Sequence, residues 1–185
     1  SSWNLATFVD ACANELGVTV PVAVHADHYG IKGDADIEKA RPEIPSMFDA
    51  GTTSIAIDAS HMPDDQNLLA SIELNRYVPA WAGLETEQGE IKGKEGLSNK
   101  EEALFLVQGL NAHGISPDWI ALNNGTTHGI EASDAGIQVG LTAEIHRTVA
   151  PYKVSGAQHG TSGNSSERLR HIAAETHTTK ANVAT

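Results

Sequence analysis

The stretch Val20-Pro-Val-Ala-Val-His-Ala-Asp-His-Tyr-Gly30 joins a run of β-branched and small apolar residues to a cluster of ionisable side chains. The apolar part predicts a strand, and the polar part predicts a loop at the carboxyl end of that strand. The stretch Ser54-Ile-Ala-Ile-Asp-Ala-Ser-His61 repeats the same order. Because helix-like segments separate such runs, the pattern indicates βα units that build a parallel sheet.

Six strands and six helices are predicted along the chain. The predicted strands are Val18–His25, Ser54–Ala59, Ala80–Glu87, Trp119–Asn123, Tyr152–Gly156 and Lys180–Ala184. The predicted helices are Leu5–Leu16, Ile37–Asp49, Gln66–Val78, Lys100–Ala112, Thr142–Ala150 and Ser166–Glu175. An eight-stranded α/β barrel needs about 250 residues. The pattern predicts one domain over residues 1–185 with a parallel sheet that is either open or part of a barrel. A partial TIM (β/α)8 barrel of about six βα units, which lacks N-terminal strands and a C-terminal segment, is what the family resemblance described below implies.

Composition excludes several classes of function. The formal net charge of -12 disfavours nucleic acid and anionic membranes as partners. The sequence has neither an apolar run long enough to cross a bilayer nor the pattern of a signal peptide, which predicts a cytoplasmic protein. Cys12 is the only cysteine. A bound metal must therefore be held by histidines and carboxylates.

Histidines follow several of the predicted strands. His25, Asp27 and His28 end the first strand, while His128 and His159 stand at later strand ends, each followed by glycine. Because the carboxyl ends of parallel strands meet at one edge of the sheet, these histidines together favour a metal site. Polar strand ends that only form hydrogen bonds are the alternative. The segment 159–163, His-Gly-Thr-Ser-Gly, also suits a phosphate cradle or an ordinary loop.

Six ordered motifs resemble one family over nearly the whole chain. They are Val-Pro-Val-Ala-Val-His-Ala-Asp-His, Ala-Gly-Thr-Thr-Ser-Ile-Ala-Ile-Asp-Ala-Ser-His, Glu-Thr-Glu-Gln-Gly-Glu-Ile, Gly-Thr-Thr-His-Gly, His-Gly-Thr-Ser-Gly and Lys-Ala-Asn-Val-Ala-Thr. In content, order and spacing they are similar to the class II, metal-dependent fructose-bisphosphate/tagatose-bisphosphate aldolase family.

The resemblance implies a set of site residues. It implies Zn²⁺ or another divalent metal, with a monovalent cation as a further cofactor, and a proton exchange with the C4 hydroxyl of the substrate at Asp27. The implied metal ligands are His28, His128 and His159, with Glu87 and Asp58 at a second metal position. Residues implied to contact the dihydroxyacetone-phosphate half are Gly129, Gly160, Ser162, Asn182 and Thr185. Glu95 matches the mobile loop acid of the family, and Glu90 is its competitor.

The function implied is reversible cleavage of a ketose 1,6-bisphosphate, with fructose 1,6-bisphosphate as the favoured substrate, to dihydroxyacetone phosphate and glyceraldehyde 3-phosphate. The alternatives are another phosphorylated ketose such as tagatose 1,6-bisphosphate, a different metal-dependent barrel enzyme, or a non-catalytic homologue or partner subunit. The expected assembly is a homodimer or homotetramer.

Several positions depart from the family pattern or are assigned to structure. Thr161 replaces a glycine of the family's His-Gly-Gly-Ser-Gly, Ala59 replaces the glycine of Asp-Gly-Ser-His, and no lysine soon follows Gly129. These changes bear on the phosphate and monovalent-cation contacts. We interpret His25 as an outer-shell or packed residue, His61 as structural, and Lys153 and Lys180 as structural residues early in their strands.

Overall fold

The computed structural model describes residues 2–90, 96–126 and 136–183, in which helices and strands alternate. The elements are α1 (Ser2–Glu15), β1 (His25–Gly30), α2 (Asp34–Asp49), β2 (Ser54–Asp58), α3 (Asp64–Asn75), β3 (Gly83–Gln88), α4 (Lys100–Ala112), β4 (Trp119–Leu122), α5 (Val139–Val149), a 3₁₀ turn (Ala150–Tyr152), β5 (Ser155–Gln158), α6 (Ser166–Glu175) and β6 (Thr178–Ala181). All five strand pairs are parallel, and their spatial order follows the sequence from β1 to β6. A doubly wound sheet would reverse its strand order partway. The fold is therefore a partial (β/α)8 barrel, as predicted.

Contacts between the two edge strands demonstrate that the sheet is curled. Asn182, directly after β6, donates from Nδ2 to both carboxylate oxygens of Asp27 in β1, each at 3.0 Å. In a flat sheet with strands about 4.8 Å apart, the outer strands would lie about 24 Å from each other. Curling thus brings side chains from both edges of the sheet into one interior.

Helix α4 illustrates how local sequence determines the outer layer. Asn99 accepts a hydrogen bond from the Glu102 amide at 2.9 Å, and the Glu102 carboxylate accepts one from the Asn99 amide, which forms a capping box. The apolar stripe of the helix, which includes Leu106 and Leu110, is buried with Ile55 and Ile57 of the sheet. None of the described helices is both long and apolar enough to cross a membrane.

The first strand begins later than the sequence predicts. Val18, Val20 and Val22 are exposed, and β1 starts only at His25. Pairing with the segment that leads into β2 starts at Val24, whose carbonyl accepts a hydrogen bond from the Thr53 amide at 2.8 Å. The predicted strand Val18–His25 was wrong. The residues just before Thr53 form the turn that follows α2, so no strand lies beside the valines for them to pair with.

The last two strands also differ from prediction. Residues Ala150–Tyr152 form a 3₁₀ turn, and Lys153 adopts a left-handed conformation (φ 61°), so β5 starts at Ser155 instead of Tyr152. Strand β6 spans Thr178–Ala181, so Lys180 stands near its carboxyl end. The interpretation of Lys180 as a residue early in its strand was therefore wrong. The predicted end of that strand, Ala184, lies outside the described residues.

Gly156 of β5 packs directly against a buried histidine and gives a test of the fold. A Cβ at this position would lie 2.0 Å from Cε1 of His146, a ring that is itself buried between α5 and the sheet. We expect Gly156→Ala to lower the free energy of unfolding by about 3 kcal/mol, at the upper end of the usual cost of overpacking. Denaturant unfolding of the full-length protein would measure it.

Gly140 provides the matched control for this substitution. It lies inside α5, and a Cβ there would meet nothing within 4 Å. Gly140→Ala should leave stability unchanged or raise it by up to about 1 kcal/mol, because alanine favours helix more than glycine does. Equal stability of Gly156→Ala and the wild type would contradict the packing described.

Candidate metal centre

A local irregularity in β1 brings two consecutive side chains into the interior. In a regular strand, Asp27 and His28 would point to opposite faces. Here the register with β2 shifts between Ala26 and Tyr29, and His28 adopts a positive φ of 48°. Positive φ is uncommon outside glycine and often marks functional sites. Both side chains consequently reach the same group of residues.

His28 contacts acidic residues through both ring nitrogens. Its Nδ1 lies 2.9 Å from Glu87 Oε1 and 3.5 Å from Asp58 Oδ2, and its Nε2 lies 3.8 Å from Asp27 Oδ2. Hydrogen bonding to Asp58 and Glu87 raises the pKa of His28 to about 10, despite partial burial. The ring is therefore held among negative charges that would equally attract a metal cation.

His159, which directly follows β5, completes the interior cluster. Its ring centroid lies 4.5 Å from that of His28, at an interplanar angle of 61°. Its Nε2 lies 3.1 Å from Glu85 Oε1, and its Nδ1 lies 3.2 Å from Asn182 Nδ2. Residues from β1, β3, β5 and the end of β6 therefore surround one point at the carboxyl edge of the sheet.

Asp27 is held as a carboxylate in this cluster. Burial alone would raise its pKa, but hydrogen bonding to His25 and the charges of Lys180, His28 and His159 outweigh burial and hold the pKa of Asp27 well below its usual range. An ionised carboxylate that still has exposed surface can accept a proton from a bound molecule.

The pKa of Glu87 is shifted in the opposite direction from that of Asp27. It is 2% exposed, and burial, with the nearby charge of Asp58, raises its pKa although His28 opposes this effect. Two carboxylates beside one imidazole are a donor set that a divalent cation would stabilise.

Three groups of described residues bring potential metal ligands within 4.8 Å of one another. They are Asp27 with His28 and His159, His28 with Asp58 and Glu87, and His25 with Asp27 and Glu85. The ammonium group of Lys180 already contacts the third group, since its Nζ lies 2.6 Å from Glu85 Oε2 and 3.5 Å from Asp27 Oδ1. The first two groups, which share His28, are the better metal sites.

The described residues include many of the predicted site residues. The structure brings together Asp27, His28, Asp58, Glu87, His159 and Asn182. Gly160 (φ 62°) and Ser162 lie in the loop after β5, and Thr161 of that loop donates to the Asn182 carbonyl. The predicted residues His128, Gly129, Glu95 and Thr185 lie outside the described residues. Glu90 forms an ion pair with His61 at 3.1 Å.

Sequence reasoning missed Glu85 and the position of Lys180. Glu85 is fully buried and contacts His159, Lys180 and His25. A signal was present, because residues two apart in a strand share a face, which places Glu85 beside Glu87 and Lys180 beside Asn182. His25, interpreted as an outer-shell or packed residue, also contacts this network through Asp27 and Glu85.

Comparisons with known proteins agree in pointing to one family. A family model described as fructose-bisphosphate aldolase class-II matches residues 2–185. A fructose-bisphosphate aldolase of Staphylococcus aureus (strain Mu50) is 27% identical over 163 residues, which cover 78% of this chain and 52% of the relative. The chain thus spans about half the length of the curated relatives it matches.

Solved structures share the fold. The YdjI aldolase of Escherichia coli K12 aligns with a TM-score of 0.70 and 21% identity, covering 99% of this chain and 61% of its own. A probable tagatose 6 phosphate kinase of Sinorhizobium meliloti 1021 aligns with a TM-score of 0.77 and 16% identity, covering 99% of this chain and 53% of its own.

Proposed function

The chain belongs to the class II fructose-bisphosphate aldolase family, and from this premise we propose that the protein containing it is a metal-dependent lyase that reversibly cleaves a ketose 1,6-bisphosphate. Fructose 1,6-bisphosphate is the favoured substrate, and dihydroxyacetone phosphate and glyceraldehyde 3-phosphate are the products. The observation that carries the proposal is Asp27, an ionised carboxylate fixed by Asn182 between His28 and His159.

The metal would be zinc, held by His28, His159 and His128. His28 and His159 have ring centroids 4.5 Å apart, which suits two ligands of one ion. Asp58 and Glu87 would hold a second position together with His28. A bound zinc ion would act as a Lewis acid that polarises the C2 carbonyl of the ketose.

The side chains of this chain supply the proton transfers. Cleavage of the C3–C4 bond requires loss of the proton on the C4 hydroxyl, and Asp27 is the base that we assign to that proton. The three-carbon fragment must then gain a proton at C3 to become dihydroxyacetone phosphate. We assign this second step to the loop acid Glu95, and Glu90, which lies 3.1 Å from His61, is the competing candidate.

Residues around the end of β6 and in the loop after β5 would bind the dihydroxyacetone-phosphate half of the substrate. We assign its contacts to Gly129, Gly160, Ser162, Asn182 and Thr185. The hydrogen bond from Thr161 to the Asn182 carbonyl joins these two segments and supports a shared binding surface. A left-handed Gly160 (φ 62°) lets the backbone approach an anion closely.

The proposal is tested with the full-length protein and purified ketose bisphosphates. We expect cleavage of fructose 1,6-bisphosphate, loss of activity with a chelator and recovery on adding zinc. Tagatose 1,6-bisphosphate is assayed in parallel to identify the sugar. The triose phosphates formed are measured with a coupled dehydrogenase.

Two outcomes would replace this proposal with another. Borohydride with substrate should leave the enzyme active; a covalent adduct trapped on Lys180, which lies 3.5 Å from Asp27, would indicate Schiff-base chemistry instead. Stoichiometric zinc without cleavage of any phosphorylated ketose would indicate a non-catalytic homologue.

A further inference from the structure

A buried ion pair lies beneath the site and contacts several of its members. Glu85 of β3 is 0% exposed, and its Oε2 lies 2.6 Å from Nζ of Lys180, whose side chain is 18% exposed. Burying such a pair costs more desolvation than its attraction usually returns, and apolar residues can often replace it without loss of stability. The contacts that the pair makes with its neighbours therefore suggest a role other than stability.

The second carboxylate oxygen of Glu85 determines the protonation pattern of His159. Oε1 lies 3.1 Å from His159 Nε2, and an ionised carboxylate can only accept hydrogen bonds. Glu85 Oε2 lies 2.6 Å from the Lys180 ammonium group, which has no acceptor, so the carboxylate is the acceptor on both sides. Nε2 of His159 must then carry the hydrogen, and the lone pair is on Nδ1.

Asn182 connects the His159 ring with Asp27. Its Nδ2 group lies 3.0 Å from both oxygens of Asp27, and only a donor fits there. The same Nδ2 lies 3.2 Å from Nδ1 and 3.4 Å from Nε2 of His159, so it contacts the ring without distinguishing the two nitrogens. The placement of the hydrogen on Nε2 therefore rests on Glu85, and Asn182 places the His159 ring beside Asp27.

Lys180 fixes the orientation of the Asn182 amide. Its Nζ donates to Asn182 Oδ1 at 2.8 Å, which directs Nδ2 of the same amide toward Asp27. Nζ also lies 3.5 Å from Asp27 Oδ1. One ammonium group thus links Glu85, Asn182 and Asp27.

We propose that Glu85 and Lys180 are positioning residues of the reaction. Glu85 orients His159 so that Nδ1 is its metal-binding nitrogen, and Lys180, anchored by Glu85, holds Asn182 and Asp27 in place. The inference rests on the proposed function. Hydrogen bonds from metal-binding histidines to carboxylates are a general means of fixing ring orientation, and their loss weakens metal affinity about 10- to 100-fold.

The experiment compares Glu85→Gln and Lys180→Met in the full-length protein, with cobalt(II) replacing zinc. Glu85→Gln should bind cobalt about 10- to 100-fold more weakly and change its visible absorption spectrum, because His159 loses its carboxylate partner. Lys180→Met should retain the wild-type cobalt spectrum while kcat falls more than about 10-fold, because the contact of Glu85 with His159 remains.

Matched controls come from an exposed pair of the same residue types. Lys100 and Glu144 are 2.7 Å apart on the outer surface, so Lys100→Met and Glu144→Gln should change neither the spectrum nor kcat. If Glu85→Gln fails to fold, NMR of cadmium-loaded wild-type protein with isotope-labelled histidine identifies the ligating nitrogen of His159. Coupling through Nδ1 supports the inference, and coupling through Nε2 overturns it.

The outcomes separate this inference from the proposed function. A wild-type protein that binds no divalent metal overturns both. A wild-type protein that binds metal and cleaves substrate, with a Glu85→Gln variant that has the same cobalt affinity and spectrum, overturns the positioning role of Glu85 alone. An unchanged kcat in Lys180→Met overturns the role of Lys180.

Discussion

Replacing Asp27 with asparagine is expected to lower kcat for ketose bisphosphate cleavage by about 10²- to 10⁴-fold, the usual contribution of a positioned general base. The asparagine amide has nearly the same shape but cannot take the proton of the C4 hydroxyl at neutral pH. The measurement is the rate of triose phosphate formation by the full-length variant at saturating substrate.

The neighbours of Asp27 explain why the effect should fall on the chemical step. Asn182 donates to both of its oxygens, and His25 Nε2 and Lys180 Nζ lie 3.4 and 3.5 Å from Oδ1, so the carboxylate is oriented before the substrate arrives. In Asp27→Asn, the side-chain NH₂ group of the new asparagine must face one of the donors that contacted the carboxylate. A loss of positioning therefore adds to the loss of the base, while the two histidines that would hold the metal are unchanged.

Metal content and a second aspartate provide the controls for this prediction. Asp27→Asn should keep the zinc content of the wild type, since His28 and His159 remain. Asp49→Asn alters an exposed carboxylate at the end of α2 and should leave kcat unchanged. A kcat for Asp27→Asn within about threefold of wild type would remove Asp27 as the base.

The order of strands and the location of the site could be predicted from the sequence for a physical reason. Short runs rich in apolar and β-branched residues and bounded by turns, such as Ser54–Ala59, favour buried strands, and the helix after each run returns the chain to the same edge. Charged residues at successive strand ends are thus brought together by the fold itself. His159 was predicted in this way, whereas Asp58 and Glu87 were implied by the resemblance to the family.

Other features depend on three-dimensional detail that residue patterns do not contain. The presence of both Asp27 and His28 in the interior depends on the register shift and on the positive φ of His28. The role of Lys180 depends on a strand boundary two residues from the predicted one. Such boundaries follow from available pairing partners, which a single sequence does not specify.

Glu85 is a different case, because the pattern that would have identified it was present. Glu85-Thr86-Glu87 alternates across β3, so both glutamates face the same side. The resemblance to the family implied a role for Glu87 and none for Glu85. A buried carboxylate in the middle of a strand requires a cationic partner, and Lys180 supplies it.

Replacing His28 with alanine is expected to have the largest effect of any single substitution, because His28 belongs to both of the metal-binding groups assigned to the site. Metal affinity should fall by more than about 100-fold, the upper limit for loss of an outer-shell partner, since a direct ligand is removed. Activity should fall to background. Elemental analysis after dialysis and the cleavage assay measure the two quantities.

Stability should fall as well, even in metal-free protein. His28 Nδ1 lies 2.9 Å from Glu87, and Glu87 and Asp58 are both buried. Removal of the ring leaves these carboxylates without their cationic neighbour, at a cost of about 2 kcal/mol in the free energy of unfolding. His113→Ala, which changes an exposed histidine at the end of α4, should leave metal binding unchanged and lower the free energy of unfolding by about 1 kcal/mol or less, because only a hydrogen bond to the Gly109 carbonyl is lost.

The role of His28 as a metal ligand also predicts how metal affinity changes with pH. In the metal-free protein, Asp58 and Glu87 raise the pKa of His28 to about 10, so the ring is protonated at neutral pH. A metal ligates only the neutral imidazole, so binding must release that proton, and affinity must rise with pH up to about 10. Calorimetric titration in buffers of different ionisation enthalpy counts the protons released. A His28→Ala variant that binds zinc as tightly as the wild type would show that the metal is held elsewhere.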